Sequence, residues 1–242
     1  GAGTANTEFE IISGMSLSYF GPGEYPYKTI LKDTTCESIP YDLAERGYKS
    51  HAIHNNAGSF YGRNVVFPKL GFDTFTSIEY MNNVEYNPLG WAKDSILTGE
   101  VLKALKSTET PDYVYTITVQ SHGKYPDEMV DETQDITAET DGDTGERNPE
   151  AFEYYINQLS EVDEFVGDLT DALSHFNEPC VVVFYGDHLP SMAIEDEDLA
   201  NGNKFQTPYV MWSNFPLEKV DKDLAAYQIG AYRALTELGF HF

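Results

Sequence analysis

The stretch Val181-Val182-Val183-Phe184-Tyr185-Gly186-Asp187-His188-Leu189-Pro190 joins an unbroken apolar run to a glycine turn that carries an aspartate and a histidine side by side. An apolar run without alternation reads as a strand buried on both faces, which belongs to a parallel sheet covered by helices. The turn at the carboxyl end of such a strand is where open α/β sheets place their chemistry. An aspartate oxygen beside an imidazole suits a divalent cation such as Mn2+ or Zn2+. The same residues also suit a plain turn, with Asp187 as its cap and His188 at the surface.

The neighbouring segments repeat this strand-and-helix pattern. Before the strand, Asn148-Pro149 starts the longest helix, with an N-cap followed by proline in the first turn. Phe152, Ile156, Leu159, Val162, Val166, Leu169 and Leu173 predict its apolar face. After the strand, residues 208–212 predict another strand and 224–238 a closing helix. Residues 113–119 are β-branched and aromatic, a strong strand signal, and follow an amphipathic helix over 95–105. Residues 49–54 alternate like a strand and 74–76 form a short one. Helices are expected over 38–46, stopped by Gly47, and over 60–70, closed by Gly71. The opening residues predict a helix capped by Asn6 or Thr4, with Glu8 and Glu10 in its first turn. The acidic stretch 127–146 reads as a solvated loop, because it lacks the ligand spacing of a calcium loop. Strands alternating with helices give the α/β class: a three-layer sandwich with a mainly parallel central sheet, in one domain over 1–242.

The chain has 242 residues, and 40 acidic against 15 basic side chains give it a formal charge of −25. Such a surface repels phosphate backbones, which excludes a nucleic-acid binder, and it disfavours adhesion to anionic lipid by charge alone. No apolar stretch approaches the roughly 20 residues needed to span a bilayer, so the chain reads as a soluble piece. Cys36 and Cys180 could pair, but Cys180 opens the apolar strand and reads better as a small buried hydrophobe.

Three strand ends carry unusual polar groups. They are residues 54–63, with His54, Asn56, Tyr61 and Arg63; residues 120–125, with His122; and the Asp187-His188 turn. In a parallel sheet these ends meet at one edge and converge on one cleft. Each also has an ordinary reading: a satisfied strand-end histidine, a helix-surface salt bridge, a turn cap.

With Gly3-Thr4-Ala5-Asn6-Thr7-Glu8-Phe9, Gly47-Tyr48-Lys49-Ser50 and Leu70-Gly71-Phe72-Asp73, these blocks keep the order and spacing of a known family. The chain resembles the extracellular catalytic domain of the lipoteichoic acid synthase family, phosphoglycerol transferases of the alkaline phosphatase and sulfatase superfamily. The resemblance implies an alkaline phosphatase-like fold. It also implies metal-dependent transfer of phosphoglycerol from a lipid such as phosphatidylglycerol to a polyol-phosphate acceptor, through a phosphothreonine intermediate. On this match Thr4 is the nucleophile and a metal ligand. Asp187 and His188 are two further ligands of Mn2+, or of Mg2+ or Zn2+ in its place. His54, Arg63 and His122 hold the phosphoglycerol. Tyr61 stands where the family commonly has a tryptophan, and Asn56 where it has an aspartate. Thr4 has no distinction of its own in the sequence and would otherwise read as a helix cap.

The family's metal has another ligand, a glutamate on a strand some tens of residues before the nucleophile. This chain starts three residues before Thr4. The expectation is therefore a fragment that lacks the first strand, with an uncovered sheet edge and weak or no catalysis. The resemblance places the full protein at the extracellular face of a membrane, with membrane contact only through the part preceding this chain. Rival readings are a phosphoethanolamine transferase, a phosphodiesterase or sulfatase-like hydrolase, and a non-catalytic binding module of the same fold. A sulfatase needs Cys or Ser in a Cys-x-Pro-x-Arg context, which neither Cys36 nor Cys180 offers.

Overall fold

The computed structural model describes residues 3–130, 135–139, 148–218 and 221–230. Its centre is strand β1 (Lys49–His54), flanked in parallel by β2 (Thr74–Ser77) and β3 (Asp112–Ile117). The register sets His54 opposite both Ser77 and Ile117. The three carboxyl ends are therefore level, and the turns that follow them open on one edge. A second pair, β4 (Val181–Tyr185) and β5 (Tyr209–Ser213), is antiparallel.

Helices cover both faces. On one, Phe9 and Ile12 of α1 (Thr4–Ser13) and Val66 and Phe67 of α3 (Arg63–Lys69) pack against Ala52, Tyr115 and Ile117. Phe67 is the hub, with ring contacts to Tyr27, Phe72, Phe75 and Tyr115. On the other, Leu97 and Val101 of α4 (Ile96–Leu105) and Phe165, Leu169 and Leu173 of α5 (Pro149–Ser174) pack against Ile53. Burying each of these side chains contributes about 1.5–3 kcal/mol. The strands alternate between the two cores: Ala52 faces one and Ile53 the other, and likewise Tyr115 and Val114. Val182 and Phe184 join the second core while Tyr185 joins the first, so β4 lies in the same layer as β3. The Tyr115 and Tyr185 hydroxyls hydrogen-bond across the space between the two strands. The expected α/β architecture, mainly parallel with helices on both sides, is what the chain forms.

Several local expectations change. The 208–212 segment forms a strand, but it runs back along β4 instead of parallel to it. The connection over 186–208 contains only a single 3-10 turn, and a parallel return needs a crossover element of about a dozen residues or more, usually a helix. The amino-terminal half of α5 does not bury the predicted stripe. Leu159 is 45% exposed, while Ala151, Tyr154 and Gln158 are buried, because this end packs into a hydrogen-bonded polar network. The 60–70 helix divides into a 3-10 turn (Phe60–Gly62) and α3, because Tyr61 (φ 56°) and Gly62 (φ 69°) within that turn are left-handed. Neither Asn6 nor Thr4 caps α1: Thr4 is already helical and Gly3 is the N-cap. α2 (Ile39–Ala44) is shorter than predicted, and both cysteines are free. Of the closing helix only α6 (Ala226–Ile229) is described, and parts of the predicted 224–238 helix and of the 127–146 loop lie outside the described residues.

Candidate active site

Gly3 takes φ 144° and ψ 152°, a conformation essentially reserved for glycine, and this sharp entry makes Thr4 the first residue of α1. A hydroxyl there lies among the unpaired N–H groups of a helix start, which favour negative charge. One turn on, Thr7 Oγ1 donates to the Asp187 carbonyl at 3.0 Å, which docks the start of α1 onto the Asp187-His188 turn. Gly3 and His188 line a common cavity of about 300 Å³ with Pro190, Lys204 and Phe205.

At that turn His188 Nδ1 lies 2.7 Å from the Leu189 carbonyl and must donate to it. In the neutral ring this leaves the Nε2 lone pair free, 3.6 Å from Asp187 Oδ2. A carboxylate oxygen and an imidazole nitrogen so placed, both about one-third exposed, fit a divalent cation. Among the described residues no cluster of three or more His, Cys, Asp or Glu side chains is gathered in this way.

His54 ends β1 and is buried, with Nδ1 3.0 Å from the Ile117 carbonyl. Burial first, and Arg63 second, hold its pKa down at about 3, so the ring is neutral with an accepting Nε2. His122 is exposed, its Nδ1 2.5 Å from the Gly123 carbonyl and its ring 4.8 Å from that of Trp91. All three imidazoles thus turn Nδ1 to a backbone carbonyl. Asn56 Oδ1 accepts from the Ala57 amide at 2.7 Å, which leaves its NH2 group to donate. Gly58 keeps this loop close to β2, since a Cβ there would come within 2.9 Å of Ser77 Oγ.

Arg63 is buried and reaches across to α1, where Nε and Nη2 donate to the two oxygens of Glu8 at 3.2 and 2.5 Å. Burial pushes the Glu8 carboxyl up, opposed by the Arg63 charge. Losing one partner of a buried pair costs about 3–5 kcal/mol. Tyr61 lies over the guanidinium, with its ring centre 5.2 Å from Cζ. Tyr125 and Tyr155 pair edge to face at 5.6 Å, and burial pushes both hydroxyls up.

Beneath the cleft, buried Asp94 holds two turns together. Its Oδ1 accepts from Asn55 Nδ2 at 2.7 Å, the Val119 amide at 3.0 Å and the Gln120 amide at 3.3 Å. Thr7, Asp94 and the pairing of Glu8 with Arg63 escaped the sequence reading. Glu8 had one signal, its position a helical turn after Thr4, and Asp94 had none.

The family model described as Sulfatase matches residues 1–229. The chain belongs to the sulfatase family. Among sulfatase-family relatives, a Rhizobium meliloti protein provisionally named for cyclic beta-1,2-glucan modification is 28% identical over 255 residues, covering 99% of this chain and 39% of that protein. The Staphylococcus aureus lipoteichoic acid synthase is 27% identical over 188 residues, 76% of this chain and 27% of that one. The solved structure of the Streptococcus pyogenes phosphoglycerol transferase GacH, in complex with sn-glycerol-1-phosphate, superposes with a TM-score of 0.80 at 27% identity. The match covers 96% of this chain and 61% of that one. The chain thus spans less than two-thirds of each of these sulfatase-family proteins.

Proposed function

We propose that this cleft transfers phosphoglycerol from a lipid donor such as phosphatidylglycerol to an acceptor hydroxyl, with Thr4 as the nucleophile. The observation that supports the reading is the Thr7 hydrogen bond to the Asp187 carbonyl, which docks the start of α1, where Thr4 is the first residue, onto the Asp187-His188 turn. Thr4 Oγ attacks phosphorus, the bond to the diacylglycerol oxygen breaks, and that oxygen takes up a proton. The acceptor hydroxyl then displaces Thr4, and a proton returns to Oγ. The α1 start supports the charge on the phosphoryl oxygens. His54 and His122 each offer an Nε2 for a substrate hydroxyl or for the proton in transit, and Asn56 a donor. Tyr61 offers a face to the glycerol. A divalent cation, Mn2+ or else Mg2+ or Zn2+, held by Asp187, His188 and Thr4, would lower the pKa of the threonine hydroxyl.

The relatives' names support two acceptors, a lipoteichoic acid polyol-phosphate chain and a carbohydrate hydroxyl, and the aromatic rim of Trp91, Tyr125 and Tyr155 suits either. The site would work outside the cell, where its donor lipid is exposed.

The test is to incubate the chain with phosphatidylglycerol and Mn2+ and to analyse it by intact-mass and peptide mass spectrometry. The expected result is diacylglycerol release and a phosphoglycerol adduct on Thr4, both absent in Thr4→Ala. An ethanolamine phosphate adduct formed only from phosphatidylethanolamine would replace this donor with that one. Neither adduct nor release from any glycerophospholipid, with the full-length protein as well as with this chain, would overturn the reading.

A further inference from the structure

The proposed substrate is a phosphodiester anion and the protein carries a formal charge of −25, so the cleft needs local positive charge to attract it. Beside the proposed divalent cation, the side chains already described supply little. The Arg63 guanidinium is matched by the buried Glu8 carboxylate through two hydrogen bonds. His54 is neutral, with its Nδ1 proton committed to the Ile117 carbonyl. Asp187 adds a negative charge.

Lys28 is placed to make up this deficit. It sits in a turn that begins at Tyr25, where the Lys28 amide donates to the Tyr25 carbonyl at 2.8 Å. Asn6 Nδ2 donates to the Glu24 carbonyl at 3.3 Å, which ties this turn to α1 two residues from Thr4. The Lys28 ammonium lies 5.0 Å from the centre of the Tyr25 ring and 5.7 Å from that of Tyr61, both within cation–π range. Both rings belong to the cleft. A methyl group on Gly3 would stand 4.0 Å from the Tyr25 hydroxyl, and Tyr61 also covers Arg63. Tyr61 holds this place at a positive φ of 56°, a strained backbone for a bulky residue. Lys49, Lys93, Lys103 and Lys204 each pair with a carboxylate; among the described residues Lys28 has aromatic rings instead.

We propose that Lys28, held between the rings of Tyr25 and Tyr61, is a phosphate-binding residue of this cleft and supplies its uncompensated positive charge to the phosphoryl oxygens of the substrate. This rests on the reading of the cleft as a phosphoglycerol site. An ammonium has three donors and a strongly hydrated point charge, and it stays mobile enough to follow the phosphoryl group between donor and acceptor. Aromatic partners hold it in place without cancelling its charge, as a carboxylate would.

The test measures binding of sn-glycerol-1-phosphate by titration calorimetry, with and without Mn2+, to the wild-type chain, Lys28→Met and Lys28→Arg. Met keeps the apolar stem that packs on the rings and removes only the charge. Lys28→Met is expected to weaken binding about tenfold and Lys28→Arg by no more than about twofold. Raising the salt concentration should weaken the wild type more than Lys28→Met. The proposal is overturned if Lys28→Met binds like the wild type, or if Lys28→Arg loses as much as Lys28→Met; phosphoglycerol transfer stands in either case. A folded wild-type chain that binds no sn-glycerol-1-phosphate overturns both.

Discussion

His54 shows how strongly one position can be constrained. Its ordinary pKa of 6.5 falls to about 3 in the folded chain, because the ring is buried and Arg63 is near. Between those values the unfolded chain binds a proton that the folded chain does not, so stability is complete above about pH 6.5 and is lost as pH falls toward 3. At full extent the contribution is roughly 4–5 kcal/mol. Urea unfolding of His54→Asn between pH 4 and 6.5 should therefore vary less with pH than that of the wild type. Parallel curves for the two proteins would show that His54 does not titrate in this way. The sequence marked His54 as a strand-end histidine with a polar turn behind it. It did not reveal the Ile117 carbonyl, 63 residues away, that fixes which ring nitrogen holds the proton. Arg63 is similar: its place at the start of a helix was legible, and its pairing with Glu8 was not.

At the scale of elements, the site depends on keeping the exits of β1 and β3 together. Asp94, just before α4, does this by accepting from Asn55 after β1 and from Val119 and Gln120 after β3. Gln120 Oε1 in turn accepts from the Asp94 amide at 2.8 Å. Asp94→Asn keeps an acceptor of the same shape and should cost about 1 kcal/mol. Asp94→Leu orphans the buried Val119 and Gln120 amides, while Asn55 keeps the Ala92 carbonyl, and should cost about 3 kcal/mol or more, measured by urea unfolding. Equal losses in the two variants would mean that shape, not hydrogen bonding, holds the turns. Strand and helix positions were readable from local periodicity. The antiparallel direction of β5 and the buried face of the amino-terminal half of α5 were not. A strand's direction depends on how the chain returns to it, and a helix that buries polar groups in a network carries no apolar stripe.

For the whole molecule, the excess of negative charge and the partly exposed Asp187-His188 pair make one expectation concrete. A ligand that binds only the folded state raises its stability by mass action. Millimolar Mn2+ should raise the thermal midpoint of the wild type by a few degrees and leave Asp187→Asn unchanged, as measured by calorimetry. An equal response in both would place the cation elsewhere on the acidic surface. The sequence alone determined the α/β class, the positions of the strands, the acidity and the three polar strand ends, because these follow from local patterns of side chains along the chain. Only the tertiary structure decided that Glu8 neutralises Arg63, that His54 is neutral, that Asp94 ties two turns together and that Lys28 lies within cation–π range of Tyr25 and Tyr61. Each of these depends on contacts between distant residues and on burial, and local pattern encodes neither.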